Sequence, residues 1–431
     1  LHGETEGLAQ SRREKRPEAG LSGSMGRLES IWRQSLTRRR AARGLAGLLA
    51  ASPLLRAQQD PFRDHSRVPA MEELITAFDF EAVAYAKLPR EAYNYTAYGA
   101  AGEVTLRRNR EAFDWVKLVS KAVVDVSSIE TAAEVLGTRM AFPVMVAPSA
   151  GHLALHPEGE AATHQGTTAA ANTPMIISYV ASLPVEKIAA AATGPLWYQL
   201  YPRQEIDENR EPLDKAQAEG CQAIVVTVDQ QAAYYERRLH DRNLLAREVR
   251  ENPRASRAVP RSARRRGAEV SNPYRISTGR LWYEWKLFDE LRPFVKVPML
   301  AKGILTAEDA RRCLDHGLDG IIVSNHGGRA LDCSPSSLEV LPEIVDAVAG
   351  KVPVLIDGGF RRGSDILKAL ALGASAVCLG RAPRWGLGAF GAAGVQRVLE
   401  ILQAELMLAM AHTGRPTLSS IDRTLVRTDF P

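Results

Sequence analysis

The chain of 431 residues predicts an α/β fold, a (β/α)8 TIM barrel with an N-terminal helical preface and an expanded fourth βα crossover. Three observations predict it. Between residues 142 and 412 a short apolar run of β type is followed by a segment of helical period, and the unit recurs eight times. The runs do not alternate polar with apolar residues, which is the pattern of strands buried on both faces. Each run also ends in polar or glycine residues, at the end where a parallel barrel gathers its chemistry.

In chain order, residues 1–69 read as a basic leader and tail, and 70–431 as the barrel domain, whose stretch 70–135 is the helical preface. Thr37-Arg38-Arg39-Arg40 precedes the apolar segment Leu45 to Leu55, which closes on Leu55-Arg56-Ala57. Charge, apolar run and small residue in that order suggest a Tat-type signal and delivery to a bacterial periplasm. A disordered basic tail on a cytoplasmic protein is the alternative, since Pro53 interrupts the apolar run; Met25 is a candidate start. The expected strands are Phe142–Pro148, Pro174–Val180, Leu196–Tyr201, Ala223–Asp229, Val297–Lys302, Gly320–Asn325, Pro353–Asp357 and Ala376–Gly380. Helical segments such as Ala307–His316 and Gly363–Leu372 follow, and the fourth crossover spans Gln230 to Lys296, including the Arg-rich stretch Arg254 to Arg266.

Hydrophobic content of 45% and charged content of 24% are globular values that exclude wholesale disorder. No apolar run approaches the ~20 residues that span a bilayer. The net charge of +5 is concentrated in the leader and the fourth crossover, which gives little ground for nucleic-acid binding. Cys221, Cys313, Cys333 and Cys378 show neither C-x-x-C spacing nor pairing with histidines, so no metal is expected.

The strand ends form a chemically matched set. The sixth delivers Asn325, His326, two glycines and Arg329, a base and a cation in one small space. Gly358, Gly359 and Arg361 after the seventh, with Gly380 and Arg381 after the eighth, make a barrel phosphate site. No G-x-G-x-x-G follows a strand, so that phosphate belongs to a mononucleotide. The other ends bring Pro148-Ser149-Ala150, Ser178, Gln199 and Tyr201, Thr227 and Asp229, and Lys302.

SNHGGRALD at Ser324–Asp332 and DGGFRRGSD at Asp357–Asp365 are specific motifs, joined by APSA at Ala147–Ala150, HPEGE at His156–Glu160, QLY at Gln199–Tyr201, TVD at Thr227–Asp229, LAKGI at Leu300–Ile304 and LGR at Leu379–Arg381. With these, the chain resembles the FMN-dependent L-2-hydroxy acid oxidase and dehydrogenase family, from about Phe78 to about Thr413. The resemblance implies FMN across the barrel mouth. Its phosphate would lie at Gly359, Arg361, Gly380 and Arg381, and the rest of it near Pro148, Ser149, Ala150, Ser178, Gln199, Thr227, Ser324, Asp357 and Gly358, with Lys302 at the flavin N1/O2 edge. His326 would be the base that takes a proton from a lactate- or glycolate-like acid, and Asp229 would stabilise the imidazolium. Arg329 and Arg237 would hold the substrate carboxylate, Tyr95 would reach it from the preface, and Tyr201 would hydrogen-bond the substrate oxygen. Oxygen, a quinone or a cytochrome would accept the electrons, and the assembly would be a homotetramer.

The chain departs from that family in two places. Gln230-Gln231 follows TVD where the family has Thr-Pro, so Arg238 competes with Arg237, and Thr96 stands where a second tyrosine is usual. Other readings stay open: an aldolase-type barrel with Lys302 as Schiff-base nucleophile, a flavin barrel acting on isoprenoid or nucleotide substrates, or a silent binding protein on the same fold.

Overall fold

A computed structural model describes residues 68–230 and 282–431. The expected leader, Arg237 and most of the fourth crossover lie outside the described residues. Preface helices α1 (Asp79–Lys87), α2 (Arg90–Ala97) and α3 (Val104–Glu111) come first, then strand β1 (Val116–Leu118) and hairpin β2 (Ala133–Val135) with β3 (Thr138–Met140). The expectation of a helical preface as far as residue 135 is therefore corrected: helix ends at Glu111. The missed hairpin turns on Leu136 and Gly137, with φ of 51° and 79°. A leucine in the left-handed region is not a recognisable turn signal, which is why the hairpin escaped.

The eight expected strands are all present, as β4 (Val144–Val146), β5 (Met175–Ser178), β6 (Leu196–Leu200), β7 (Ile224–Thr227), β8 (Met299–Ile304), β9 (Gly320–Val323), β10 (Val354–Asp357) and β11 (Ala376–Leu379). They close in sequence order into one parallel barrel, β11 pairing back onto β4. Most ladders are shorter than expected because proline opens them: Pro143, Pro174, Pro195, Pro298 and Pro353 immediately precede strands. Proline has no N–H to give the ladder, but its carbonyl still accepts from the neighbouring strand, as Pro174 O does from Val146 N at 2.8 Å and Pro298 O from Ile224 N at 2.8 Å. β8 instead runs on through Gly303, whose φ of 111° accompanies a register shift between Lys302 and Ile304.

Although the eight barrel strands are buried apart from the half-buried Gly303 of β8, alternate residues serve two cores. Met145, Ile176, Trp197, Val225, Leu300, Ile322, Leu355 and Ala376 fill the barrel interior. Their neighbours, such as Val144, Ile177 and Ile356, pack outward against the helices. The hairpin plugs the lower end: Val135 and Met140 join the interior cluster, and Trp197 Nε1 donates to Thr138 Oγ1 at 2.8 Å.

Outside the barrel lie α4 (Gly159–Ala169), α5 (Val185–Ala189), α6 (Arg210–Ala218), α7 (Lys286–Leu291), α8 (Ala307–Asp315), α9 (Ser337–Val348), α10 (Gly363–Ala371) and α11 (Arg381–His412). Ser336 and Glu339 form a capping box on α9, and Glu339 also takes a two-pronged bond from Arg108 of α3, at 2.7 and 2.6 Å. β1 pairs with the final strand β12 (Val426–Thr428), tying the two ends of the domain together.

Glycine sets the approach of α10 to α11. A methyl on Gly363 would overlap the Leu406 amide nitrogen and the Glu405 carbonyl carbon, both backbone. Gly363→Ala should cost about 2–3 kcal/mol of stability by overpacking, read as a lowered denaturant midpoint with unchanged slope. A loss below ~1 kcal/mol would show that the two helices separate freely.

Candidate active site

Two residues beyond each interior apolar side chain, the same strand face presents Ala147, Ser178, Gln199, Thr227, Lys302, Ser324, Asp357 and Cys378. Period two thus carries seven of these polar or thiol-bearing positions to one ring at the barrel mouth. Lys302 is its centre, 3% exposed. Its Nζ donates to Ser324 Oγ at 2.8 Å, pairs with Asp357 Oδ2 at 3.0 Å and lies 4.0 Å from Asp229 Oδ2. Burial alone would lower the lysine's pKa, but the charges of Asp357 and Asp229 outweigh it and raise the pKa above the ordinary value. A lysine held protonated by two carboxylates is a poor amine nucleophile, which removes the main support for the aldolase reading.

Asp229 is shared. Its other oxygen lies 2.8 Å from His326 Nδ1. An ionised carboxylate only accepts, so Nδ1 carries a proton and Nε2 is the nitrogen left to exchange one. Burial would raise the Asp229 pKa, yet the neighbouring charges of His326 and Lys302 and the His326 hydrogen bond hold it below the ordinary value. Gly303 makes room for this arrangement, since a methyl there would stand 2.5 Å from Asp229 Cβ.

His326, Gly327 and Gly328 all have left-handed backbone, with φ of 57°, 66° and 73°. Such a run is strained for histidine and is held by its surroundings. His326 N donates to Ser324 Oγ at 3.0 Å, Gly328 N to Asn325 Oδ1 at 3.1 Å, and Gly328 O accepts from Ala100 N at 2.7 Å. Asn325 and Asn109 of α3 exchange amide bonds at 2.9 and 2.8 Å, and Asp332 caps α3 by accepting from Thr105 N at 2.9 Å. The preface therefore holds the turn that aims the histidine.

Above the ring lies a cavity of about 320 Å³, within the range of small-molecule sites. The sequence-predicted residues line it, apart from five. Gln199, Thr227, Ser324 and Asp229 stand behind its wall, and Arg237 is outside the described residues. Tyr201 reaches it with its hydroxyl donating to Gln230 Oε1 at 3.1 Å. Tyr95 lies beneath Arg329, whose Nη1 donates to Tyr95 O at 2.8 Å and whose guanidinium stands 3.9 Å from the Tyr98 ring. Sequence reading missed Tyr98 and Arg384. Arg384 follows Arg381 by one helical turn on α11, a spacing that marks it as facing the same way.

The chemistry of the wall fits FMN. Asp357 Oδ1 in the lining, and Gln199 Nε2 and Thr227 Oγ1 of the same ring of side chains, are buried with no hydrogen-bond partner, which suits a polar ring system laid over that ring. At the other end Arg361 and Arg381 are half-buried, and among the described residues no carboxylate forms an ion pair with either. Burial, with Arg329 and Arg361 nearby, pushes the Arg381 pKa down to about 9. A phosphate dianion would compensate both cations. Gly380 leaves open space where a side chain would stand, whereas Gly359 must be glycine because a methyl would run into the Asn109 carbonyl. Arg381 also has a structural role, donating to Thr96 O, Tyr98 O and Gly327 O at 2.9–3.0 Å and so pinning the preface to the turn after β9.

Residues 84–428 match the family model described as FMN-dependent dehydrogenase. A peroxisomal (S)-2-hydroxyacid oxidase of Arabidopsis thaliana is 38% identical, over 83% of this chain and 98% of its own length. A 2-hydroxyacid oxidase of Dictyostelium discoideum is 36% identical, over 83% of this chain and 91% of its own. Among solved structures, mandelate oxidase with (S)-2-phenylpropionate aligns with a TM-score of 0.70 at 35% identity, over 83% of this chain and 99% of that one. An active chimera of (S)-mandelate dehydrogenase gives 0.71 at 36%, over 83% and 100%.

A carboxyl held below its usual 3.8 stabilises the fold above that pH, and the contribution disappears as pH falls through the lower folded value. Asp229→Asn should therefore flatten the acid limb of the stability curve below pH 3.8, measured as urea midpoints across the acid range. An acid limb identical to that of the unaltered protein would remove Asp229 as its source.

Proposed function

The chain belongs to the FMN-dependent dehydrogenase family, and from that premise we propose that it oxidises a small L-2-hydroxy acid to the 2-keto acid with His326 as the base. The observation that carries this assignment is the His326 Nδ1 to Asp229 Oδ1 contact at 2.8 Å, which leaves Nε2 basic in the cavity that Arg329 also lines. Pro148, Ser149, Ala150, Ser178, Gln199, Thr227, Ser324, Asp357 and Gly358 would hold the ring and ribityl parts of FMN, and Gly359, Arg361, Gly380 and Arg381 its phosphate. Bound there, FMN would supply the acceptor for the two electrons and for the substrate hydrogen that His326 does not take.

His326 takes the substrate proton, and Asp229 stabilises the resulting imidazolium across the Nδ1 bond. Lys302, kept charged by Asp357, provides a fixed positive potential at the barrel mouth. Arg329 binds the carboxylate in a forked contact, with Arg237 from the fourth crossover and Tyr95 from α2 as further partners, and Tyr201 donates to the substrate oxygen. Relatives named as oxidases support oxygen as the electron acceptor. The family resemblance supports a homotetramer. Export by a Tat-type leader rests on the twin arginines ahead of Leu45 to Leu55.

Anaerobic addition of glycolate, L-lactate and L-mandelate to the FMN-loaded protein should bleach the flavin visible band with at least one of them, and the colour should return quickly on readmitting air. His326→Gln should slow the bleaching by ~10²–10⁴-fold while FMN stays bound, as judged by the visible spectrum after desalting. Undiminished bleaching in that variant would remove His326 from the mechanism.

A further inference from the structure

The cavity holds one cation more than FMN and a simple hydroxy acid require. The phosphate answers Arg361 and Arg381, one substrate carboxylate answers Arg329, and Lys302 already pairs with Asp357. Arg384 remains. It is 5% exposed, lines the cavity and, among the described residues, forms no ion pair with a carboxylate. The Glu160 carboxylate acts on it only from beyond ion-pair distance, its Oε1 accepting from Ser182 N at 2.8 Å. Burial, reinforced by Arg329, holds the Arg384 pKa down at about 10.

The bonds that Arg384 does make are to neutral groups. Nη1 donates to Ala150 O at 2.6 Å, and Nη2 and Nε to Thr96 Oγ1 at 2.9 and 3.3 Å. A guanidinium has about five N–H donors, so one remains on each terminal nitrogen to meet an anion. Those contacts also fix its rotamer, which lowers the entropic cost of capturing an anion.

Arg384 and Arg329 are near neighbours in the wall. Their guanidinium carbons lie 5.9 and 5.0 Å from the centroid of the same Tyr95 ring, and Arg329 Nη1 also reaches Thr96 O at 3.5 Å. We propose that Arg384 is a specificity-determining residue that selects a 2-hydroxy acid carrying a second anionic group, a 2-hydroxy dicarboxylic acid. Arg329 holds the carboxylate next to the reacting carbon and Arg384 the distal one. A neutral side chain on the substrate would leave Arg384 buried with no ion-pair partner and only the more distant Glu160 charge. This assignment rests on the hydroxy-acid reading above and deepens it.

The test compares near-isosteric pairs on the FMN-loaded protein: L-malate with L-2-hydroxybutyrate, and L-2-hydroxyglutarate with L-2-hydroxyvalerate. The full-length protein should favour the dicarboxylate in at least one pair by about tenfold or more in kcat/KM. Arg384→Gln should cut that ratio by about tenfold, and Arg384→Lys, which keeps the charge but not the guanidinium donors, should retain part of it. Titration of the flavin spectrum with D-malate and D-2-hydroxybutyrate reads the same preference as binding, without turnover. Should Arg384→Gln fail to hold FMN, the ratio in the unaltered protein and in Arg384→Lys decides. Preference for the neutral member of both pairs overturns the proposal, as does an equal loss on both members in Arg384→Gln, which would make the arginine a tie between Ala150 and Thr96. Bleaching by monocarboxylates alone sinks this proposal and leaves the hydroxy-acid reading standing, while bleaching by none of these four acids nor by glycolate, L-lactate or L-mandelate sinks both.

Discussion

One buried carboxylate, Asp229, lies between the two groups on which the site depends. Its oxygens face Lys302 at 4.0 Å and His326 at 2.8 Å, so the same charge keeps a lysine protonated and fixes a histidine tautomer. Burying such a charge is unfavourable unless it is compensated, and here Oδ1 is hydrogen-bonded to His326 while Oδ2, without a hydrogen bond of its own, is compensated only by the charge of Lys302. The arrangement is possible because β7, β8 and β9 are adjacent in the barrel and because Gly303 bulges out of the way. Change in any one of the three positions disturbs the other two.

Around that centre the barrel separates dry from polar with a single rule. Interior residues on successive strands are apolar at one level and polar two residues later, so packing and chemistry share the same strand faces. The lower level, closed by the β2–β3 hairpin, provides the rigid base. The upper level carries side chains whose rotamers are confined by their neighbours, as Ser178 is by its bond to Gln199 Oε1 at 3.2 Å.

The preface is part of the site rather than an appendage. α3 braces the left-handed turn through Asn109, and the end of α2 supplies the carbonyls on which Arg329 and Arg381 rest. These contacts put cations from β9 and α11 against one short segment of α2 and its continuation, Tyr95 to Tyr98. Concentrating positive charge there is unfavourable in the protein alone, which is the usual signature of a place built to receive anions.

Much of this could be read from residue order. Eight apolar runs with polar ends dictate a closed parallel barrel, because strands buried on both faces need helices outside and a filled interior. His326, Arg329, Lys302 and the glycines after β10 and β11 were legible because they follow those runs directly. Tyr98 and Arg384 were not, since their relevance comes from α2 and α11 meeting across more than two hundred intervening residues. The hairpin was hidden by a leucine at positive φ, which only packing onto the barrel floor makes tolerable. Sequence alone thus determined the architecture and the strand-end chemistry, which follow from local pattern and period. Tertiary structure decided which cations share a wall, which carboxylate serves two partners and which charge remains unanswered, because those depend on distances between segments that no local pattern encodes.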